Sequence, residues 1–384
     1  MKSKKHSSRP GADAHPHSHS PDGVPPCRVA LLGCGAVCEL YHAPALQHLE
    51  AAGTVSVTAV FDPDAARATK LCSLFPNAVA YPDESFLEKT PLDLALIASP
   101  VSFHEAHAIR ALEAGIAVLC EKPLAANTES GERMIAAALK NRRILAVGLL
   151  RRFYSTVQFT RQIIQNKTLG AVTSFSIQKG GVFNWPARSD FFFRKNIAGG
   201  GVLIDLGVHV LDLVVHWFGE PRELTYSDDA MGGVEANCRL ELFYSDGFKG
   251  TVQLSRDCNT PNCYVIEFER GSVKLRAGDA EQMDIRLNNS DFLLEGLLKK
   301  RFVPNSSVAP VVSASSFQQA FLVQLNDLIV AIRTGGQPSI PGEEAIRSLR
   351  LIEQCYQKKT LMDMPWLEPE EQKTSQRLAA GGAP

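Results

Sequence analysis

Along residues 28–147 short apolar runs alternate with longer stretches of helical periodicity. The runs 28–32, 55–61, 92–98, 116–120 and 144–147 are almost continuous in Val, Ile, Leu, Ala and Phe. That is the pattern of strands covered on both faces. Between them, residues 64–74, 104–114 and 128–141 repeat apolar positions as an amphipathic helix does, and another helical stretch runs from a glycine turn at 33–35 to about residue 50. Buried strands separated by helices predict βαβ units on a parallel sheet, hence a doubly wound α/β domain.

The pattern changes near residue 150. A helix at 155–165 leads to an alternating strand at 172–178, and a second helix follows three glycines at 199–201. Strand-like runs come next at 239–244, 249–254, 264–268 and 272–275, joined by turns such as Ser245-Asp246-Gly247 and Arg270-Gly271. Consecutive strands with tight turns predict an α+β domain built on a largely antiparallel open sheet. Helical patterns return at 317–333 and 342–357, and no internal repeat is present. The expected division is a disordered tail at 1–26, the α/β domain at 27–150, the α+β domain at 151–366 and a second tail at 367–384. The first tail is rich in Pro, His and Ser, and its His15, His17 and His19 read as solvated rather than metal-bound, so no metal site is expected.

Forty basic residues against forty-one acidic ones leave a net charge of -1, so bulk electrostatics recruit neither nucleic acid nor an anionic membrane. The longest apolar segment, 202–215, is broken by Asp205, His209 and Asp212 and is too short to span a bilayer. Nine cysteines without C-x-x-C spacing read as free thiols. The basic N-terminus is followed by no apolar stretch, so it does not resemble a secretory signal, and the expected location is the cytoplasm.

Gly33-Cys34-Gly35 lies between a strand and a helix, where a glycine turn admits a pyrophosphate. The helix start at Ala36 and Val37 offers unpaired N–H groups to the anion. Cys38 stands where the third fingerprint residue would be Gly or Ala. Asp62, ending the second strand, is placed to accept hydrogen bonds from ribose hydroxyls and to repel a 2′-phosphate, which favours NAD while leaving NADP possible. The other reading is a turn without nucleotide, with Asp62 capping the next helix.

Glu121-Lys122-Pro123 follows the strand 116–120, and ligands of open α/β sheets bind outside the strands' carboxyl ends. A lysine there would polarise a carbonyl or hydroxyl; the alternative is a plain surface turn. The helix after Gly199-Gly200-Gly201 is apolar except for Asp205, His209, Asp212 and His216. At about 100° per residue these fall at about 0°, 40°, 340° and 20°, one stripe about 60° wide. A solvated stripe usually carries Lys, Glu, Gln or Arg, so Asp205 and His209 are read as site residues able to bond each other or a shared ligand. Asp212 and His216 are read as supporting or structural.

In order and spacing these pieces resemble the Gfo/Idh/MocA family of NAD(P)-dependent oxidoreductases. The stretches that carry the likeness are Gly33-Cys34-Gly35, Ala98-Ser99-Pro100 to His104, Ala114-Gly115 through Glu121-Lys122-Pro123, and Gly199-Gly200-Gly201 through Asp205-x-Gly207-x-His209. The likeness covers roughly residues 27–360. It implies a Rossmann domain, then a domain whose open sheet carries the substrate site and packs on another subunit as a dimer or tetramer. It also implies hydride transfer to or from a ring carbon of a sugar, cyclitol or sugar derivative. By the same likeness Lys122 orients or protonates the reacting oxygen, His209 is the general acid/base, and Asp205 holds substrate and histidine. Pro100 and Glu121 would line the nicotinamide, and His104 matches a family position counted with the cofactor site, its alternative role being only to fix the loop. Two other activities occur on this architecture: redox-neutral glycosidic cleavage through transient use of NAD, and non-catalytic sensing of sugar or NAD.

For the substrate, Arg151, Arg152 and Tyr154 follow the last strand of the first domain. An arginine there suits a carboxylate or phosphate, with an ion pair as the alternative, and Arg152 is taken as the substrate contact. The segment Phe183-Asn184-Trp185-Pro186, Arg188 and Phe191-Phe192-Phe193 is unusually aromatic. Trp185 is the candidate to stack on a sugar ring, against ordinary packing.

Overall fold

The computed structural model describes residues 23–186, 193–194, 198–299, 313–365 and 367–381. Arg188, Phe191 and Phe192 of the aromatic segment and the three tail histidines lie outside the described residues. Six strands form the first sheet: β1 (Cys27–Leu32), β2 (Val55–Phe61), β3 (Val79–Tyr81), β4 (Leu94–Ile97), β5 (Ala117–Cys120) and β6 (Leu145–Val147). Their order is β3-β2-β1-β4-β5-β6 with every pairing parallel. Helices α1 (Ala43–Ala51), α2 (Ala65–Cys72), α3 (His104–Glu113) and α4 (Thr128–Asn141) cover it, so β4 and β5 are buried along their whole length. That is why these strands read as unbroken apolar runs rather than alternating ones. The strand order reverses between β1 and β4, so the turns that leave those two strands flank a crevice at the sheet's carboxyl edge.

Helix α5 (Ser155–Gln165) leads into a second sheet. It holds β7 (Val172–Gly180), β8 (Glu223–Asp228), β9 (Asn237–Phe243), β10 (Lys249–Ser255), β11 (Cys263–Phe268), β12 (Gly271–Arg276), β13 (Gln282–Leu287), β14 (Leu293–Leu297) and β15 (Lys359–Leu361). The order is β14-β13-β12-β11-β7-β10-β9-β8-β15, with β7–β10 and β8–β15 parallel and the other pairs antiparallel. One face is covered by α5 and α6 (Val208–Phe218), where Phe175 of β7 stacks on Phe218 with centroids 4.5 Å apart. Alternation follows: Cys238, Leu240 and Leu242 of β9 are fully covered while Arg239 between them is exposed.

Helices α7 (Phe317–Thr334) and α8 (Gly342–Gln357) return to the first domain. Phe321 of α7 stacks on Tyr41 at 5.2 Å, and Glu353 of α8 accepts the Thr128 N–H at the start of α4 at 2.6 Å. By contact these two helices belong to the first domain as much as to the second, so the segment 151–366 does not pack as one separate body. The expected tail at 367–384 also needs correction: α9 (Pro369–Ala379) forms there. Its start is stabilised locally, with Pro369 in the first turn and the Glu371 side chain accepting the Glu368 N–H at 2.9 Å. Among the described residues no helix is long and apolar enough to cross a membrane. All nine cysteines are unpaired, and burial pushes the Cys27 and Cys38 thiols up to about 12.

Candidate active site

The glycine turn after β1 is shaped by close packing. Gly33 has φ +96°, and a Cβ there would lie 2.5 Å from the Ser99 nitrogen of the turn after β4. A Cβ on Gly35 would meet nothing within 4 Å, so the space above this turn is open. The helix start is a π-turn, Cys38–His42, at the position where the third glycine is replaced. Asp62 accepts the Cys34 N–H at 2.7 Å and the Asp64 N–H at 2.9 Å. Helix α2 is capped by Asp64 instead, so Asp62 is not merely a cap. An open turn, a helix start and a fixed carboxylate at the end of β2 fit a dinucleotide. Gly33, Gly35, Ala36 and Val37 would face its pyrophosphate, and Asp62 its ribose.

Across the crevice, Pro100 is exposed at the end of β4. His104 is only 1% exposed, with ring nitrogens 3.0 Å from the Pro123 carbonyl and 2.9 Å from that of Ser99. It clamps two turns together and touches no open surface, a correction to its expected place at the cofactor. Glu121 is likewise buried: its Oε1 lies 2.6 Å from His42 Nε2, and its Oε2 accepts the Lys122 N–H at 3.1 Å. Burial pushes its carboxyl up, but the His42 hydrogen bond and charge, with the charge and backbone N–H of Lys122, together outweigh this and hold it below its usual value. It braces Lys122 from behind rather than lining the crevice.

Lys122 reaches the second domain. Its Nζ lies 3.1 Å from Asp205 Oδ1 and 3.1 Å from the Asp205 carbonyl, with both side chains about one-fifth exposed, 22% and 20%. Asp205 sits in a π-turn, Leu203–Gly207, that opens into α6. Glu235 fixes that turn: its carboxylate accepts the Leu203 N–H at 3.0 Å and the Tyr356 hydroxyl at 2.8 Å, and its carbonyl accepts the Val202 N–H. A Cβ on Gly201 would overlap the Glu235 backbone, so here the glycine serves close packing rather than a ligand.

His209 follows on α6, partly exposed, with Nδ1 covered and lacking a hydrogen-bond partner. Burial, then the charges of Arg151, Lys122 and Lys179, hold its imidazole well below the usual histidine range. The expected Asp205–His209 bond is absent, since the Asp205 carboxylate goes to Lys122 and, at 3.4 Å, to Arg256. The stripe on α6 therefore divides. Asp205 and His209 meet Lys122, whereas Asp212 and His216 face Arg152 and Arg161.

Arg152 is not at the crevice. It is 6% exposed, and its Nη2 and Nε lie 2.6 and 2.9 Å from the two oxygens of Asp212. Its fork is tied to Asp212 and its Nη1 lies 3.5 Å from Glu344, so ion pairing accounts for its place. Tyr154 is buried too, which leaves Arg151 as the member of that trio beside His209. One face of Trp185, which is half-buried, is taken by Tyr41, stacked at 6.0 Å. Three residues were missed: Glu235, Arg256 and Lys179. The signal for two of them was present, because the inward rows Val252, Leu254 and Phe175, Ile177 continue, two residues on, into Arg256 and Lys179.

Residues 27–149 match the family description "Oxidoreductase family, NAD-binding Rossmann fold", and residues 157–274 match "GFO/IDH/MocA C-terminal domain". The chain is similar to D-glucoside 3-dehydrogenase of Escherichia coli (strain K12), 33% identical over 200 residues. That alignment spans 51% of this chain and little more than half, 55%, of the relative. Similarity to scyllo-inositol 2-dehydrogenase (NADP(+)) IolU of Bacillus subtilis (strain 168) extends further, 25% identity over 304 residues, 76% of this chain and 87% of that protein. The fold matches that of levoglucosan dehydrogenase, solved with NADH and levoglucosan, at a TM-score of 0.74 and 19% identity, covering 86% of this chain and 96% of that one. Both halves of the architecture are matched in order, and the chain belongs to the Gfo/Idh/MocA family of oxidoreductases.

Proposed function

We propose that the chain is an NAD-dependent dehydrogenase or reductase that moves a hydride between nicotinamide C4 and a ring carbon of a sugar, cyclitol or sugar derivative. The observation that carries this reading is the meeting of Lys122 from the first domain with Asp205 and His209 from the second, at the carboxyl edge of the parallel sheet. Bound NAD supplies the hydride acceptor. The protein's own residues handle the proton and the alignment. Lys122 donates a hydrogen bond to the reacting oxygen, which stabilises negative charge as it develops there. Asp205, held between Lys122 and Arg256, fixes the ammonium and accepts a neighbouring substrate hydroxyl. His209, kept neutral by burial and by three nearby cations, accepts the hydroxyl proton on oxidation and returns it on reduction. Asp62 favours a free ribose over a 2′-phosphate, hence NAD.

The names of the similar dehydrogenases, for D-glucoside and for scyllo-inositol, support this substrate class. The test is incubation with NAD and a panel of sugars, cyclitols and glycosides, following NADH and released aglycone together. NADH accumulating with an oxidised ring is the expected result. Aglycone released without NADH would replace it by redox-neutral cleavage, and NAD binding with neither product would make the protein a sensor.

A further inference from the structure

The cations around the crevice fall into two groups. Lys122 and Arg256 share Asp205, and Arg152 is held by Asp212. Lys179 and Arg151 have no such counter-ion among the described residues. Lys179 continues the row Phe175, Ile177 on the face of β7 that α6 covers, so its stem enters between sheet and helix near His209. Its ammonium makes no hydrogen bond or ion pair there with any of the described residues. Burial and the Arg151 charge lower it to about 7. Arg151 buries Nε and Nη1 without a partner for either. Tyr264, on the strand beside β7, has its buried hydroxyl next to Arg151, which acts on it as a charge and as a hydrogen-bond donor.

Arg151 and Lys179 thus face each other without a carboxylate among the described residues, and the Tyr264 hydroxyl is the neutral group beside Arg151. An oxyanion would complete both cations, the guanidinium fork and the ammonium each taking an oxygen. We infer that Arg151 and Lys179 form an oxyanion subsite beside His209, so the ring substrate of this enzyme bears a carboxylate or a phosphate. This rests on the hydride-transfer reading and narrows its substrate class.

The subsite also acts on the chemistry. Arg151 and Lys179 are two of the three charges that depress His209, the third being Lys122, which Asp205 already offsets. Neutralising them with a bound anion restores basicity to the imidazole when substrate is present. The groups facing Lys179 are Arg151 from the turn after β6 and His209 from α6, with Tyr264 from β11 beyond Arg151. None is an acid at neutral pH, so a bound anion raises the lysine's proton affinity, and binding above about pH 7 takes up protons.

The experiment is calorimetry on the NAD-loaded protein with D-glucuronate, D-glucose 6-phosphate and D-glucose, in two buffers of different ionisation enthalpy. At least one anion is expected to bind about tenfold or more tightly than glucose, with proton uptake. Which anion does so separates carboxylate from phosphate. Lys179→Met should abolish both the preference and the proton uptake, and Arg151→Gln should weaken the preference. Quenching of tryptophan fluorescence by NAD verifies that each variant is folded. Glucose bound as tightly as both anions, no binding of any probe, or a preference that survives Lys179→Met would each overturn the subsite. Because binding is read without turnover, anion binding with no NADH formation would retain the subsite and remove hydride transfer. Neutral sugars turned over without anion preference would do the reverse.

Discussion

Asp62 has one carboxylate oxygen on the Cys34 N–H and the other on the Asp64 N–H, which fixes it at the end of β2 beside the glycine turn. Replacing it with Ala should weaken NAD by about tenfold and narrow the gap to NADP, read by titrating both cofactors against tryptophan fluorescence. An unchanged ratio would remove Asp62 from the cofactor site. In the sequence, Gly33 stands out as a glycine between strand and helix, Asp205 and His209 as polar groups in an apolar helix, and Lys122 by its place after a buried strand. Arg152 was misread because an arginine after a strand looks the same whether it faces a crevice or an aspartate 60 residues on. Glu235 lies in a loop with no pattern, and only the fold brings it to the start of the site helix.

Helix α6 serves two purposes along its length. Its entrance carries Asp205 and His209, the proposed reacting groups, set by a π-turn, while its middle is tied by Asp212 to Arg152, which also lies 3.5 Å from Glu344 of α8. Arg152→Met should therefore leave a buried carboxylate unpaired and destabilise the protein by about 3–5 kcal/mol, measured by denaturant unfolding. A stable variant with a raised KM would instead return Arg152 to the substrate. The buried strands and long helices were readable because their apolar periods are set by burial. The edge strands were not: β3 and β15 have three residues each, and β14 points Leu293, Leu294 and Leu297 at solvent. In α9 the stop and start signals, Pro369, Glu370, Glu371 and Arg377, were present, but its exposed surface gave no apolar stripe to find.

At the scale of the molecule, the strand order of the parallel sheet reverses at the edge where the proposed reading puts the cofactor, and the mixed sheet and its covering helix bring His209, the proposed acid/base group, toward Lys122 at that edge. The order of the two domains was legible because strand pattern changes with sheet type. The return of α7 and α8 onto the first domain was not, because contacts between distant segments leave no local period. The claim on which everything else depends is that proton transfer at this edge is the work of His209. The most direct measurement is NADH formation by the wild type and by His209→Ala on the same substrate, with NAD affinity measured in parallel. The account predicts turnover lower by about 10²-fold or more with NAD affinity nearly intact. Turnover at the wild-type rate in His209→Ala would contradict it.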